Sequence, residues 1–146
     1  MAVISHCGVD YTAPTVEVQS DASATSLEAT KVPTGQTITS YLNSNLSWTL
    51  VNIGTPTSGT LINTSYCYKC AGLKLAIFNI QINGNTAGAS IDLGVNVKDG
   101  VGDIPIFGWN SYNDRQVACN VSTSTNKLYI KEAAAVVRVY GIVPLD

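Results

Sequence analysis

From Leu46 to Asp146 the apolar residues recur with a period of two, and that alternation restricts the fold more than any other feature of the chain. A strand sends successive side chains to opposite faces, so residues two apart share one side. In "SIDLGVNVK", Ile91, Leu93, Val95 and Val97 face one way while Asp92, Gly94, Asn96 and Lys98 face the other, which is the pattern of a half-buried strand. "LKLAIFNIQI" differs, because Leu73, Leu75 and Ile77 fall on one face and Ala76, Phe78, Ile80 and Ile82 on the other. Both of its faces are expected to be covered. "VVRVYGIVPL" repeats this, with Val137, Val139 and Val143 opposing Val136, Tyr140 and Ile142, and is placed centrally in a sheet or against a neighbouring subunit.

Turn signals separate these runs at short intervals: "GTPTSG", Ala71-Gly72, "NGNTAG", "KDGVGDIP", "TSTN" and "KEAAA". Short strands so punctuated predict an all-β fold, an antiparallel jelly-roll-like β-sandwich, rather than alternating β-α units. Pro105 belongs at a strand start or edge, where its missing donor does little harm. The first 45 or so residues read differently. They are rich in Ser, Thr and Ala with only short apolar clusters, too few to fold as an isolated unit. The expected organisation is an arm or stalk over residues 1–45 and a head domain over 46–146. Within the arm, Ile38, Leu42 and Leu46 recur at four-residue spacing after a Thr34 cap and Gln36, predicting one short amphipathic helix. Its stripe is too narrow to hold a lone helix, but three copies around an axis bury it.

Charge narrows the list of partners. Only 12% of residues are charged and the net charge is −2, so no basic field draws phosphate or anionic lipid, and neither nucleic acid nor a membrane surface is expected as a partner. Ser, Thr, Asn and Gly supply uncharged hydrogen-bonding surface instead. With 45% hydrophobic residues and little repulsion to keep exposed edges apart, part of the surface is expected to be covered by further copies of the chain. The amino end has neither a basic region nor a long apolar run, so no secretory signal is expected in it, and no window approaches the roughly 18 apolar residues of a membrane helix.

The residues that usually carry catalysis are scattered. Cys67 and Cys70 form a C-x-x-C, yet i and i+3 of a regular strand point to opposite faces, so they do not bond unless a turn folds them together. A zinc site would have to recruit His6, Cys7 and Cys119 from distant segments; the expectation is reduced, buried cysteines, with no metal and no cofactor. His6 stands beside no patterned Ser or carboxylate, so no nucleophilic triad is supported. Asp99 and Asp103 lack the dense oxygen spacing of a calcium loop, and "GVGD" lacks the lysine of a phosphate loop. The sequons at Asn45, Asn63 and Asn120 are read as chance in a chain this rich in Asn, Ser and Thr. No enzyme is expected.

One stretch, "FGWNSYNDRQV" from Phe107 to Val117, gathers residue types that are scarce elsewhere. Trp109 and Tyr112 offer flat faces on which a sugar ring can stack, and Asn110, Asn113, Asp114 and Arg115 offer directed donors and acceptors for its hydroxyls. This combination suits a shallow carbohydrate site on a loop. The competing reading is a loop whose Trp plugs the end of the sandwich or a subunit interface, and the sequence leaves both open.

From Trp48 to Asp146 the chain resembles the carboxy-terminal head domain of phage tail-fibre and baseplate receptor-binding proteins of Gram-positive hosts. The resemblance rests on "SWTLVNIG", on "SYCYKC" followed by a short turn and "LKLAIFNIQI", on "DIPIFGW", and on the closing pair "NKLYIK" and "VVRVYGIVPL". It covers about two thirds of the chain as a pattern of strands and turns. It implies a virion-borne homotrimer, assembled in the host cytoplasm, that binds a bacterial surface saccharide through its heads and other tail or baseplate proteins through its amino-terminal arm. Only the segment from Trp109 to Arg115 matches the aromatic, amide, acidic and arginine contacts such heads use. The cysteine content and the unalignable arm depart from the family. A trimeric virion or baseplate component with no ligand of its own is the alternative; a glycan hydrolase lacks a suitable pair of carboxylates.

Overall fold

The computed structural model describes residues 3–6, 9–12, 17–20, 31–100 and 102–146. The chain divides into two compact units, Met1–Asn45 and Leu46–Asp146.

In the first unit, β1 (Val3–His6) pairs antiparallel with β2 (Val9–Thr12), and β3 (Val18–Gln19) pairs parallel with β4 (Val32–Pro33). His6 ends β1, opposite Val9, while Cys7 falls outside the described residues. The helix α1 spans Gly35–Asn45. Its start is fixed by Thr34, whose Oγ1 accepts the Thr37 N–H at 3.2 Å, satisfying one of the free donors of the first turn. The buried Thr37 hydroxyl donates to the Gln19 carbonyl at 2.8 Å, which also takes the Thr34 N–H at 3.0 Å, so the cap is tied to β3. At the other end Asn45 Nδ2 donates to the Tyr41 carbonyl. Ile38 and Leu42 stay exposed on this helix, and Leu46 just beyond it is exposed too.

The second unit is all-β, a jelly-roll-like sandwich made by one curled antiparallel sheet. Its strands are β5 (Thr49–Val51), β6 (Thr60–Leu61), β7 (Tyr66–Cys70), β8 (Leu75–Asn85), β9 (Ala89–Asp92), β10 (Ile104–Asn110), β11 (Arg115–Ser122), β12 (Lys127–Ile130) and β13 (Ala134–Pro144). They run in the order β5-β7-β8-β13-β10-β11-β12-β9, with β6 also on β8. The two ends of this order meet. Gly54 N–H donates to the Asp92 carbonyl and Thr57 N–H to the Ser90 carbonyl, each at 2.9 Å, so the segment after β5 runs along β9 and closes the curl. Gly94 permits that closure: its φ is +69° and a Cβ there would run into the Asn52 carbonyl.

Alternation filled the core. Ile80 and Ile82 of β8, Ile91 of β9, Val117 and Val121 of β11, Leu128 and Ile130 of β12, and Val137, Val139 and Val143 of β13 join one cluster with Leu93, Val95 and Val97. The last three alternate with exposed Gly94, Asn96 and Lys98 as the sequence requires, but β9 ends at Asp92. Beyond it the Asp92 carboxylate turns the chain by accepting the Gly94 N–H at 2.7 Å, and only Val97 bridges, to Leu145. "SIDLGVNVK" is therefore a strand followed by a bent segment that keeps the strand's sidedness. Position 141 of β13 points inward with no side chain, because the Phe78 ring and the Ile106 side chain occupy the space a Cβ would need.

β13 lies centrally, between β8 and β10. Within the single chain only one face of β8 is covered: Ala76, Phe78, Ile80 and Ile82 are buried, whereas Leu75, Ile77, Asn79 and Gln81 are half buried and Leu73 is exposed in the preceding turn. The sheet has one covered face.

Candidate functional site

"FGWNSYNDRQV" is a β-hairpin. Phe107–Asn110 close β10, Ser111–Asp114 make the turn, and Arg115–Val117 open β11, in register from Ile104 opposite Val121 to Asn110 opposite Arg115. Alternation then sorts the expected site residues. Ile106, Gly108 and Asn110 are buried, and Phe107 and Trp109 are exposed on the outward face.

Asn110, expected to meet a ligand, is a turn former instead. It is buried, and its Oδ1 accepts the Tyr112 N–H at 3.1 Å, a local bond that fixes the turn. Tyr112 stands at the tip, 81% exposed. Asn113 and Asp114 are exposed beside it, and Asp114 takes a left-handed φ of 57°, a conformation that short polar side chains tolerate. Arg115 is held in an ion pair with Glu132, whose carbonyl takes the Asn85 amide at 2.9 Å. The hairpin thus presents two separate features, a polar turn with Tyr112 and a sheet surface with Trp109.

Around Trp109 the sheet assembles residues far apart in sequence. Directly opposite it stand Gln116 on β11 and Arg138 on β13, and Arg138 in turn faces Gln81 on β8. Opposed residues on one face of an antiparallel pair have Cβ atoms about 5 Å apart, so the row Gln81, Arg138, Trp109, Gln116 is contiguous. Phe107 and Tyr140 are the next outward residues in their strands. Trp109 is 44% exposed, enough to offer an indole face, and Arg138 has no ion-pair partner among the described residues. An exposed indole between a guanidinium and two amides can stack on an apolar face and donate to and accept from its polar rim.

Beyond this row the outward face is apolar. Leu50 faces Tyr68, Tyr68 faces Ile77, and Ile77 faces Ile142, while Tyr66 faces Asn79 and Asn79 faces Tyr140. Leu50, Tyr66, Phe107, Tyr140 and Ile142 are all exposed. Sequence reading of the hairpin alone missed Gln81, Arg138 and Tyr140, because strand order, not spacing, brings them to Trp109.

The other candidate groups lie elsewhere. Cys67, Cys70 and Cys119 are buried and form no disulfide, and burial pushes the thiols of Cys67 and Cys119 up to about 11. Thiolates there are disfavoured, which removes the nucleophilic and metal-binding form. Among the described residues no three His, Cys, Asp or Glu side chains converge on a metal position. Asp103 accepts the Asn120 amide at 2.7 Å, and the Asp99 N–H donates to the Asp146 carboxylate, so each is bonded to a segment distant in sequence. Among the described residues no helix is long and apolar enough to cross a membrane.

Comparison with known protein families and with curated proteins finds no match for this chain.

Proposed function

We propose that the protein is a phage receptor-binding protein whose sandwich domain recognises a saccharide of the host cell envelope, carried in the virion as a homotrimer. One observation carries this reading: Trp109 is exposed on a rigid sheet in a row with Gln81, Arg138 and Gln116. Sugar rings present an apolar face edged by hydroxyls, and a half-exposed indole flanked by directed donors matches both parts. Placement on strands pre-organises it, so little ordering accompanies binding. Tyr112, Asn113 and Asp114 at the turn extend the site along the hairpin. Assembly into trimers is supported by the apolar rows through Tyr68 and Tyr140, and contacts with other tail or baseplate proteins fall to the amino-terminal unit.

Those same rows favour the second reading, a structural trimeric component in which Trp109 is packed against a neighbouring copy. Trp109→Ala separates the two. For an adhesin, binding to glycan arrays and host cells falls by about 2 kcal/mol, as loss of an aromatic anchor does, with assembly and melting temperature unchanged. Full adsorption by a folded Trp109→Ala protein rejects the saccharide site; loss of assembly in that variant establishes the packing role.

A further inference from the structure

A cavity of about 240 Å³ opens at the far end of the sandwich domain, lined by Lys69, Ala71, Lys74, Gly94, Val95, Asn96, Leu145 and Asp146. Some six residues of β13 separate Arg138 from this end, about 20 Å at the rise of a strand, so it is distinct from the Trp109 surface. We propose that it binds a sugar or polyol bearing an oxyanion, with Lys69 and Lys74 holding the anion and Asn96 and Asp146 the hydroxyls.

Size sets the ligand class. Pockets for drug-sized molecules run to roughly 300–1,000 Å³, so this one suits a single ring with one substituent. Charge sets the substituent. Lys69, near the end of β7, and Lys74, in the turn before β8, both line the cavity, and neither has an ion-pair partner among the described residues. Two lysines against one acidic side chain, that of Asp146, in the lining favour an oxyanion. Asp146 Oδ1 already accepts the Asp99 N–H at 3.4 Å, leaving its other oxygen for a hydroxyl, and the Asn96 side-chain amide has no hydrogen-bond partner among the described residues.

The backbone holds these groups in place. Lys74 sits at φ 50°, a left-handed conformation that glycine adopts with less strain, yet the position carries a lysine. Its carbonyl takes the Leu145 N–H at 2.8 Å, its own N–H reaches the Ala71 carbonyl at 3.2 Å, and the Asn96 carbonyl takes the Asp146 N–H at 3.3 Å. Three segments that meet only in the fold are thereby laced into one wall.

Calorimetric titration of the intact protein with glucose 6-phosphate, glucuronate, inorganic phosphate and glucose tests this. Glucose 6-phosphate, glucuronate or both are expected to bind and glucose is not; which charged sugar binds identifies the oxyanion as phosphate or carboxylate. Lys69→Gln and Lys74→Gln should each weaken binding by about tenfold, the size of one lost charge-assisted contact, and added salt should weaken it as well. Lys74→Gly should lose the same binding while keeping or raising the melting temperature, since it relieves the left-handed strain. Trp109→Ala should leave this binding intact, so the result stands apart from the adhesin reading. Absence of heat with both charged sugars at about 10 mM, the weak limit of a specific site, overturns the proposal, as does unchanged binding in the folded lysine variants. Inorganic phosphate binding as tightly as glucose 6-phosphate overturns the sugar assignment.

Discussion

Val139 and Tyr140 are consecutive in β13 and have opposite surroundings: Val139 is wholly buried in the core cluster, and Tyr140 is 57% exposed on the outer face. The same holds for Val143 and Ile142, the latter 63% exposed. Both faces of this strand carry apolar residues, yet one closes the sandwich and the other stays exposed. The closed face is bounded by the curl that brings the segment after β5 against β9, and none of the described residues of this domain folds over the other. Apolar content therefore does two jobs in one strand. On the inner side it holds the fold together; on the outer side it forms the exposed surface, edged by the Trp109 row, that is proposed to associate.

The largest effect belongs to the inner face. Ile80→Ala, at a wholly buried position, should lower stability by about 2–5 kcal/mol in urea denaturation, through lost transfer energy and the cavity left behind. A loss below about 0.5 kcal/mol would break the contrast between the faces.

Alkaline pH probes the same interior. Cys67 and Cys119 hold their protons to about 11 when folded, against about 9 when exposed. Between those values the unfolded chain binds fewer protons than the folded one, so stability is full below pH 9 and falls as pH rises towards 11. The slope is about 1.4 kcal/mol per pH unit for each thiol. Melting temperatures across that range should show it, and a Cys67→Ala, Cys119→Ala variant should flatten it.

On the outer face the ordering reverses. Tyr140→Ser with Ile142→Ser should change unfolding by no more than about 0.5 kcal/mol per site while shifting the sedimentation coefficient towards that of a single chain. A variant that stays fully associated places the interface elsewhere. The smallest effect is expected at the hairpin's exposed ion pair: Arg115→Ala, which releases Glu132, should cost between zero and about 1 kcal/mol. A larger loss would show that the pair braces the hairpin.

The candidate site was legible in part. Trp109 and Tyr112 stood out because aromatic residues are scarce among the surrounding small and β-branched ones, and both are exposed. Asn110 misled, since an asparagine that makes a turn and one that meets a ligand are the same letter; only the bond to the Tyr112 N–H tells them apart. Arg115 was taken for a free donor because Glu132, its partner, lies in the segment between β12 and β13, which pairing brings alongside.

By itself the sequence determined the strand period, the antiparallel all-β class and the short helix after Thr34, because these depend on spacing and on local caps that act within a few residues. It also determined the inner side of the run from Ile91 to Val97, where Ile91, Leu93, Val95 and Val97 keep their sidedness even after the ladder has ended, but not that of β8 and β13, which are apolar on both sides. Strand order, the closure at Gly54 and Asp92, the row that joins Gln81 and Arg138 to Trp109, and the cavity between Lys69 and Lys74 were decided by tertiary structure alone. The physical reason is that alternation states which residues point the same way along one strand, while neighbours across strands are chosen by hydrogen-bonded pairing over long separations. Such contacts form only once the whole sheet has curled, and no local pattern records them.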